Sequence, residues 1–171
     1  MIARTAVLGL LLVTAAVVQT ALLPFLPVHG IEPNLLLLVV LGIALHDGVE
    51  SGVRVGFLAG LVLDLLVAQA PVGSATLVFT AVGGVVGTAR PYLAPASVTA
   101  PLILALLTGV IGTAAYGAMS LVLGDERVTW AVLGSASLRV GLFNTLLAPP
   151  MLALVRRLSE RFPVGAAITD E

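Results

Sequence analysis

The stretch GVESGVRVGFLAGLVLD, residues 48–64, decides the fold, because glycine recurs in it at every fourth position and an aspartate continues the interval. Residues four apart lie on one face of a helix, one above the other. These glycines therefore predict a helix face that another backbone can approach closely, and in lipid such small residues mark a helix-packing face. The row consists of Gly48, Gly52, Gly56, Gly60 and Asp64.

The composition of the whole chain favours a membrane protein. Of its 171 residues, 59% are hydrophobic and only 10% are charged, whereas soluble domains carry about 25% charged residues. The chain has no cysteine and no lysine, which excludes disulfides, a Schiff-base lysine and a Walker-type phosphate lysine. The formal net charge of −1 gives no indication of nucleic-acid binding. We therefore expect an all-α integral membrane protein that packs against the lipid bilayer.

The apolar segments predict six transmembrane helices. They lie at about 5–23, 34–46, 50–68, 74–89, 99–123 and 130–155, and most of them end at or near a proline, a glycine or a charged residue. We expect one transmembrane domain over residues 1–162, followed by a short cytoplasmic tail over 163–171. A cleaved signal peptide is the alternative for the first segment, but its apolar length exceeds the roughly 7–15 residues of a signal-peptide core. The pair Pro149-Pro150 is expected to break or kink the last helix.

The distribution of arginine predicts the orientation. Six spans with a cytoplasmic N-terminus place most arginines inside, as the positive-inside rule requires. If the second and third helices formed one broken span, Arg90 would fall outside, so six spans are favoured and both termini are expected in the cytoplasm. The inside set is Arg4, Arg54, Arg90, Arg156, Arg157 and Arg161, and the outside set is Arg127 alone.

Asp64 is the main candidate for a functional polar residue, because an acid at membrane depth is costly. In the functional interpretation it is an ion, proton or substrate site. In the structural interpretation it pairs with an arginine or caps a neighbouring helix. Arg139, inside the last span, is the obvious partner, and Asn144 could join the two in an intramembrane polar cluster.

The glycines themselves are expected to divide into two groups. A row at intervals of four drifts about 40° per step on a helix with 3.6 residues per turn, so we expect Gly56, Gly60 and Asp64 to form the buried intramembrane contact. Gly48 and Gly52 are expected to serve the turn and the start of the helix. A second packing or partner face is predicted from Gly83, Gly84 and Gly87, and the same role fits Gly109 and Gly112.

The sequence predicts no catalytic, cofactor or metal site. His46, Asp47 and Glu50 have the residue types of metal ligands, but they are expected to form a solvated cytoplasmic turn, since no second cluster accompanies them. Neither a Gly-x-Ser-x-Gly nucleophile elbow nor a His-Glu-x-x-His zinc motif occurs in the chain.

Four motifs follow one another along the chain. They are Gln19-Thr20 with Pro24, Pro33-Asn34 before a leucine run, the glycine row with Phe57, Leu61 and Asp64, and Pro71-Val72-Gly73 followed by Leu77. In this order they resemble the rod shape-determining protein MreD family. The resemblance spans roughly residues 5–160 and is strongest over 33–90.

The resemblance implies a non-enzymatic scaffold of the bacterial cell-elongation complex, which maintains cell shape by organising peptidoglycan synthesis at the inner membrane. Proteins of this family bind MreC directly and, through the complex, associate with MreB, RodA and a class B penicillin-binding transpeptidase. The implied fold is a compact bundle of six transmembrane helices, similar to the substrate-binding subunits of energy-coupling-factor transporters. No catalytic residue and no cofactor accompany the resemblance.

A substrate-binding membrane subunit of a vitamin-like transporter is the alternative function. In that case Asp64, Arg139 and Asn144 would line a ligand cavity. The chain has few aromatic and polar side chains suited to ligand capture, whereas a small-molecule site brings several polar groups together. An enzyme has still less support, because no set of nucleophile and base is evident.

Overall fold

The computed structural model describes residues 2–22, 33–66, 73–93, 97, 99–124 and 129–162. These residues form six α-helices: α1 (Ile2–Val17), α2 (Leu35–Asp47), α3 (Val49–Leu66), α4 (Ser74–Ala89), α5 (Thr99–Val122) and α6 (Trp130–Arg161). A π-helical turn, Val18–Leu22, continues α1, and a 3₁₀ turn, Arg90–Tyr92, continues α4. Predictions about residue 23, about residues 67–68, about Arg127 and about the tail at 163–171 lie outside the described residues.

The six predicted helices correspond to the six observed ones, and three of these are long and apolar enough to cross a membrane by length and composition. The three are Ala3–Ala21, Thr99–Val122 and Trp130–Arg161. The break predicted at Pro149-Pro150 does not occur, because α6 runs without interruption through both prolines. Both prolines lie on its exposed face, while Ala148 and Val155 are fully buried on either side and keep the helix packed against the bundle.

The shortest helix, α2, lies at the centre of the molecule. All ten residues from Leu35 to Ala44 are buried, and a helix that is apolar all round is typical of a core position. Its neighbours include α1, α3, α4, α5 and α6. At 1.5 Å per residue α2 is only about 20 Å long, which is less than the roughly 30 Å of the hydrocarbon layer. The unpaired backbone groups at one end of α2 must therefore find hydrogen-bond partners within the bundle.

Two closely packed helix pairs flank this central helix. In the pair α3–α4 the backbones touch along a row of glycines, described below. In the pair α5–α6 a Cβ on Gly109 would lie 2.8 Å from Gly141 Cα, so these helices also approach backbone to backbone. Gly112 faces α2 instead, since a Cβ there would lie 3.0 Å from Leu37 Cδ2.

Four helix ends meet on one side of the bundle. Arg4, near the start of α1, forms an ion pair with Asp47 at the end of α2, and Ser159 near the end of α6 donates to the same carboxylate at 3.2 Å. A Cβ on Gly48, which joins α2 to α3, would lie 3.3 Å from Arg90 Nη1, just after α4. The start of α1 and the ends of α2, α4 and α6 therefore lie on the same side of the bundle.

Candidate functional site

The glycine row on α3 packs against the backbone of α4. A Cβ built on Gly56 would collide with the carbonyl oxygen of Phe79, and one on Gly60 would collide with Thr76 Cα. A Cβ on Gly52 would lie 2.6 Å from the carbonyl oxygen of Gly83. Real Cβ atoms do not approach other atoms this closely, so only glycine allows the two helices their observed separation.

The facing row on α4 is made by two of the three glycines expected there. A Cβ on Gly83 would collide with the carbonyl oxygen of Gly52, and one on Gly87 would lie 2.5 Å from Val49 Cα. Gly84 is different, because the nearest atom to its Cβ would be Val53 Cγ2 at 3.4 Å, an ordinary contact. Gly84 is therefore not part of the close backbone approach.

The predicted division of the α3 row needs one correction. Gly48 serves the turn as expected, with a positive φ of 90°, but Gly52 joins Gly56 and Gly60 in the buried contact. The drift of an i+4 row does not limit the contact to three positions, because such a row is inclined by about 26° to its helix axis. A second helix that crosses at an angle can follow the row along its whole length.

Asp64 caps the start of α4, which is one of the two structural roles considered for it. Its carboxylate is 3% exposed and accepts four hydrogen bonds: from the backbone N–H groups of Gly73, Ala75 and Thr76 at 2.9–3.0 Å, and from Thr76 Oγ1 at 2.7 Å. The first turn of a helix has unpaired N–H groups and a partial positive charge. Helix α4 has no capping side chain of its own, so α3 supplies one.

The predicted polar cluster of Asp64, Arg139 and Asn144 is not formed. The guanidinium of Arg139 donates to Ser135 on its own helix, through Nε to the carbonyl oxygen at 3.1 Å and through Nη2 to Oγ at 3.2 Å. Asn144 faces the other way and is fully buried. Because Asp64 is already satisfied by four donors on α4, it has no need of an arginine.

Asn144 instead helps to cap α2, whose N-terminus is satisfied by three side chains. Asn144 Oδ1 accepts from the backbone N–H of Asn34 at 2.8 Å, and Asn34 Oδ1 accepts from that of Leu37 at 3.0 Å. Gln19, in the π-helical turn after α1, accepts from the N–H of Leu36 at 3.2 Å. This cap was not predicted, although a glutamine inside an apolar segment that precedes a short leucine helix is a sequence signal for it.

Asp47 departs from the solvated turn predicted for it. Its carboxylate is 4% exposed, forms an ion pair with Arg4, and contacts His46 Nδ1 at 3.0 Å. Arg4 also donates to the carbonyl oxygen of Phe162 after α6. Glu50 does remain at the surface, where it pairs with Arg54 at 2.5 Å. Among the described residues, no group of three potential metal ligands comes together.

A small cavity lies beside Arg4. Its volume is about 10 Å³, room for about one water molecule. Within the described part of the chain, every buried side-chain nitrogen and oxygen has a hydrogen-bond partner. The cavity is lined by Arg4, Val7, Leu8, Leu158, Ser159 and Phe162.

Comparison with known proteins gives one finding at the level of the family. No curated protein and no solved structure matches the chain. A family model described as rod shape-determining protein MreD matches residues 2–158, which is most of the 171-residue chain. The helices and the contacts described above lie almost entirely within the matched region. The chain therefore belongs to the MreD family of rod shape-determining proteins.

Proposed function

We propose that this protein is a non-enzymatic scaffold that binds MreC directly and helps to organise peptidoglycan synthesis during cell elongation. Membership of the MreD family already gives it a role in rod shape determination, as a membrane protein of the shape-determining complex. MreB, RodA and a class B penicillin-binding transpeptidase are proposed to associate with it through that complex.

One observation carries the scaffold proposal: the buried polar groups of the described residues are used to join helices. Asp64 ties α3 to α4, Asn144 ties α6 to the start of α2, and Asp47 ties α2 to α1 and α6. A catalytic or transport site needs polar groups directed at a substrate. Side chains that satisfy backbone groups or neutralise one another favour a structural role.

The proposal includes a topology. Residues 1–162 are proposed to form one transmembrane bundle, similar in fold to the substrate-binding subunits of energy-coupling-factor transporters, with the tail at 163–171 outside it. The end of the bundle that carries Arg4, Arg90, Arg156 and Arg157 is proposed to face the cytoplasm of a bacterial cell, since arginine-rich ends remain on that side. Both termini then lie in the cytoplasm.

Complementation together with purification tests the function. A strain depleted of its own MreD protein is supplied with this chain, and cell shape is recorded by microscopy while MreC is measured in the material that co-purifies in mild detergent. We expect rod-shaped cells and a stoichiometric amount of MreC. Gly60→Ala, which forces α3 and α4 apart, should reduce both, whereas Gly84→Ala, whose Cβ would make only an ordinary contact with Val53, should keep both.

The alternative function predicts a different result. A transporter subunit would purify with a bound vitamin-like molecule or with an ATPase module, and its loss would change uptake rather than cell shape. Wild-type protein that is well folded, leaves cells round and brings no MreC would contradict the scaffold proposal.

A further inference from the structure

Arg139 lies on the outermost face of α6, directly opposite the face that packs into the bundle. The buried residues of this part of the helix are Leu133, Ser137, Gly141 and Asn144. At 100° per residue, these point about half a turn away from Arg139. The outer face, which we call the Arg139 face, comprises Ser135, Leu138, Arg139, Leu142 and Leu146, and all five are exposed.

The positive charge of Arg139 has no acidic partner among the described residues. Its two hydrogen bonds go to the carbonyl and the hydroxyl of Ser135, both one turn back on the same helix. A guanidinium has five N–H donors, so three have no acceptor among the described residues. Charged residues in a membrane span usually pair or face a bundle interior, and this one does neither.

The depth of Arg139 argues against a lipid phosphate as its partner. Arg139 is nine residues after Trp130, about 14 Å along the helix, and exposed tryptophans of spanning helices mark the membrane interface. The side chain already extends back toward that interface, as snorkelling arginines do. The guanidinium reaches only as far as Ser135, which lies about 8 Å from Trp130 along the helix axis.

We propose that the Arg139 face binds a transmembrane helix of a partner protein, and that a carboxylate within the span of that helix pairs with Arg139. A planar guanidinium with free donors matches a carboxylate in two parallel hydrogen bonds. The leucines around it provide apolar surface for the rest of the partner helix; Leu138 and Leu142 are each 55% exposed and Leu146 is 71% exposed. This inference rests on the proposed scaffold function, because it assigns a surface for one of the partners.

Site-specific crosslinking in intact membranes tests the inference. The chain has no cysteine, so Leu142→Cys introduces a unique thiol that a benzophenone maleimide can label. Val85→Cys is the matched control, because Val85 is also strongly exposed but lies on α4. After illumination, we expect Leu142→Cys, and not Val85→Cys, to give an adduct with a single-pass protein whose span contains Asp or Glu.

The charge is tested in the same background. Arg139→Gln should reduce the adduct at least tenfold, Arg139→Lys should retain most of it, and Arg139→Asp should recover it when the acid of the partner is changed to Arg. Size-exclusion chromatography of each variant verifies that it is folded. An adduct that Arg139→Gln leaves unchanged, an adduct with lipid only, or a partner with no acid in its span would overturn the inference.

These outcomes are separable from failure of the proposed function. If the wild-type chain restores rods and retains MreC while Leu142→Cys labels no protein, the Arg139 inference is wrong and the scaffold function stands. If wild-type protein restores neither, the scaffold function itself is refuted.

Discussion

At the scale of single residues, Asp64 is a buried acid whose carboxylate is fully hydrogen-bonded. Four donors converge on the carboxylate of this residue, which is 3% exposed, and the start of a helix favours negative charge. Capping the neighbouring helix is therefore sufficient reason for a buried acid at this position. It also fixes the register of α3 against α4, because the cap and the glycine row must engage together.

Replacing Asp64 should destabilise the folded protein. Asp64→Ala leaves three backbone N–H groups of α4 without an acceptor, which we expect to cost about 3 kcal/mol or more, since each buried unsatisfied group costs about 1–3 kcal/mol. Asp64→Asn should cost less, because its amide oxygen still accepts. Heat unfolding of the purified protein in detergent measures both. Thr88→Ala, which removes only an exposed bond within α4, should leave the midpoint nearly unchanged; equal midpoints for all variants would exclude the capping role.

The sequence could predict the importance of Asp64 but not its partner. Spacing identifies an acid inside an apolar run, and both an arginine partner and a helix cap satisfy that pattern. The choice depends on where the start of α4 lies relative to the end of α3, which depends on the turn between them. The same reason explains the missed cap on α2, since Gln19 and Asn144 are 125 residues apart in the chain and meet there only in the folded bundle.

At the scale of helices, the close contact between α3 and α4 requires glycine, which has no side chain, at the contact positions. Gly60→Ala should destabilise the protein by about 1–3 kcal/mol, the usual cost of overpacking, because its Cβ would lie 2.5 Å from the backbone of Ala75 and Thr76. Gly84→Ala is the matched control on the partner helix. There the Cβ has room, so the better helix propensity of alanine, worth up to about 1 kcal/mol, should raise stability or leave it unchanged.

Unfolding midpoints of the two variants, measured side by side in the same detergent, decide this prediction. Opposite signs support the close approach, and a similar loss at both positions would show that the glycines are required for helix flexibility and not for packing. Gly48 would be a poor control, because its φ of 90° strains any other residue.

The helices were easier to predict from the sequence than the contacts between them. The bounds of α4 follow from the polar residues that flank an apolar run, and the glycine spacing identifies α3 as a packing helix. Gly84 was predicted to lie in the close helix contact but does not, and Gly52 was predicted to lie outside it but takes part. The reason is that a single glycine row does not show at which angle the second helix crosses it. Of the break or kink predicted at Pro149-Pro150, the break does not occur, because loss of two N–H groups on an exposed face does not end a helix whose other face is packed.

At the scale of the whole molecule, the ion pair between Arg4 and Asp47 joins the first helix to the end of α2 and, through Ser159 and Phe162, to the last helix. The pair is largely withdrawn from solvent, with side chains 16% and 4% exposed. Removing one member of a buried pair leaves the other charge uncompensated and costs about 3–5 kcal/mol. The partial exposure of Arg4 places our expectation at about 3 kcal/mol.

A double-mutant cycle tests whether this pair holds the two ends of the chain together. Arg4→Gln and Asp47→Asn should each lower the unfolding midpoint, and the double variant should recover part of the loss, because neither charge is then left unpaired. Arg54→Gln is the control: it breaks an exposed i,i+4 pair with Glu50, which should be worth no more than about 0.5 kcal/mol. A bifunctional crosslink between cysteines introduced at Leu8 and Leu158, which line the same cavity, reports whether α1 stays beside α6. We expect the crosslink to form in the wild-type background and its yield to fall in Arg4→Gln, since α1 then loses its connection to α6. An unchanged yield together with additive stability losses would mean that apolar packing alone holds α1 in place.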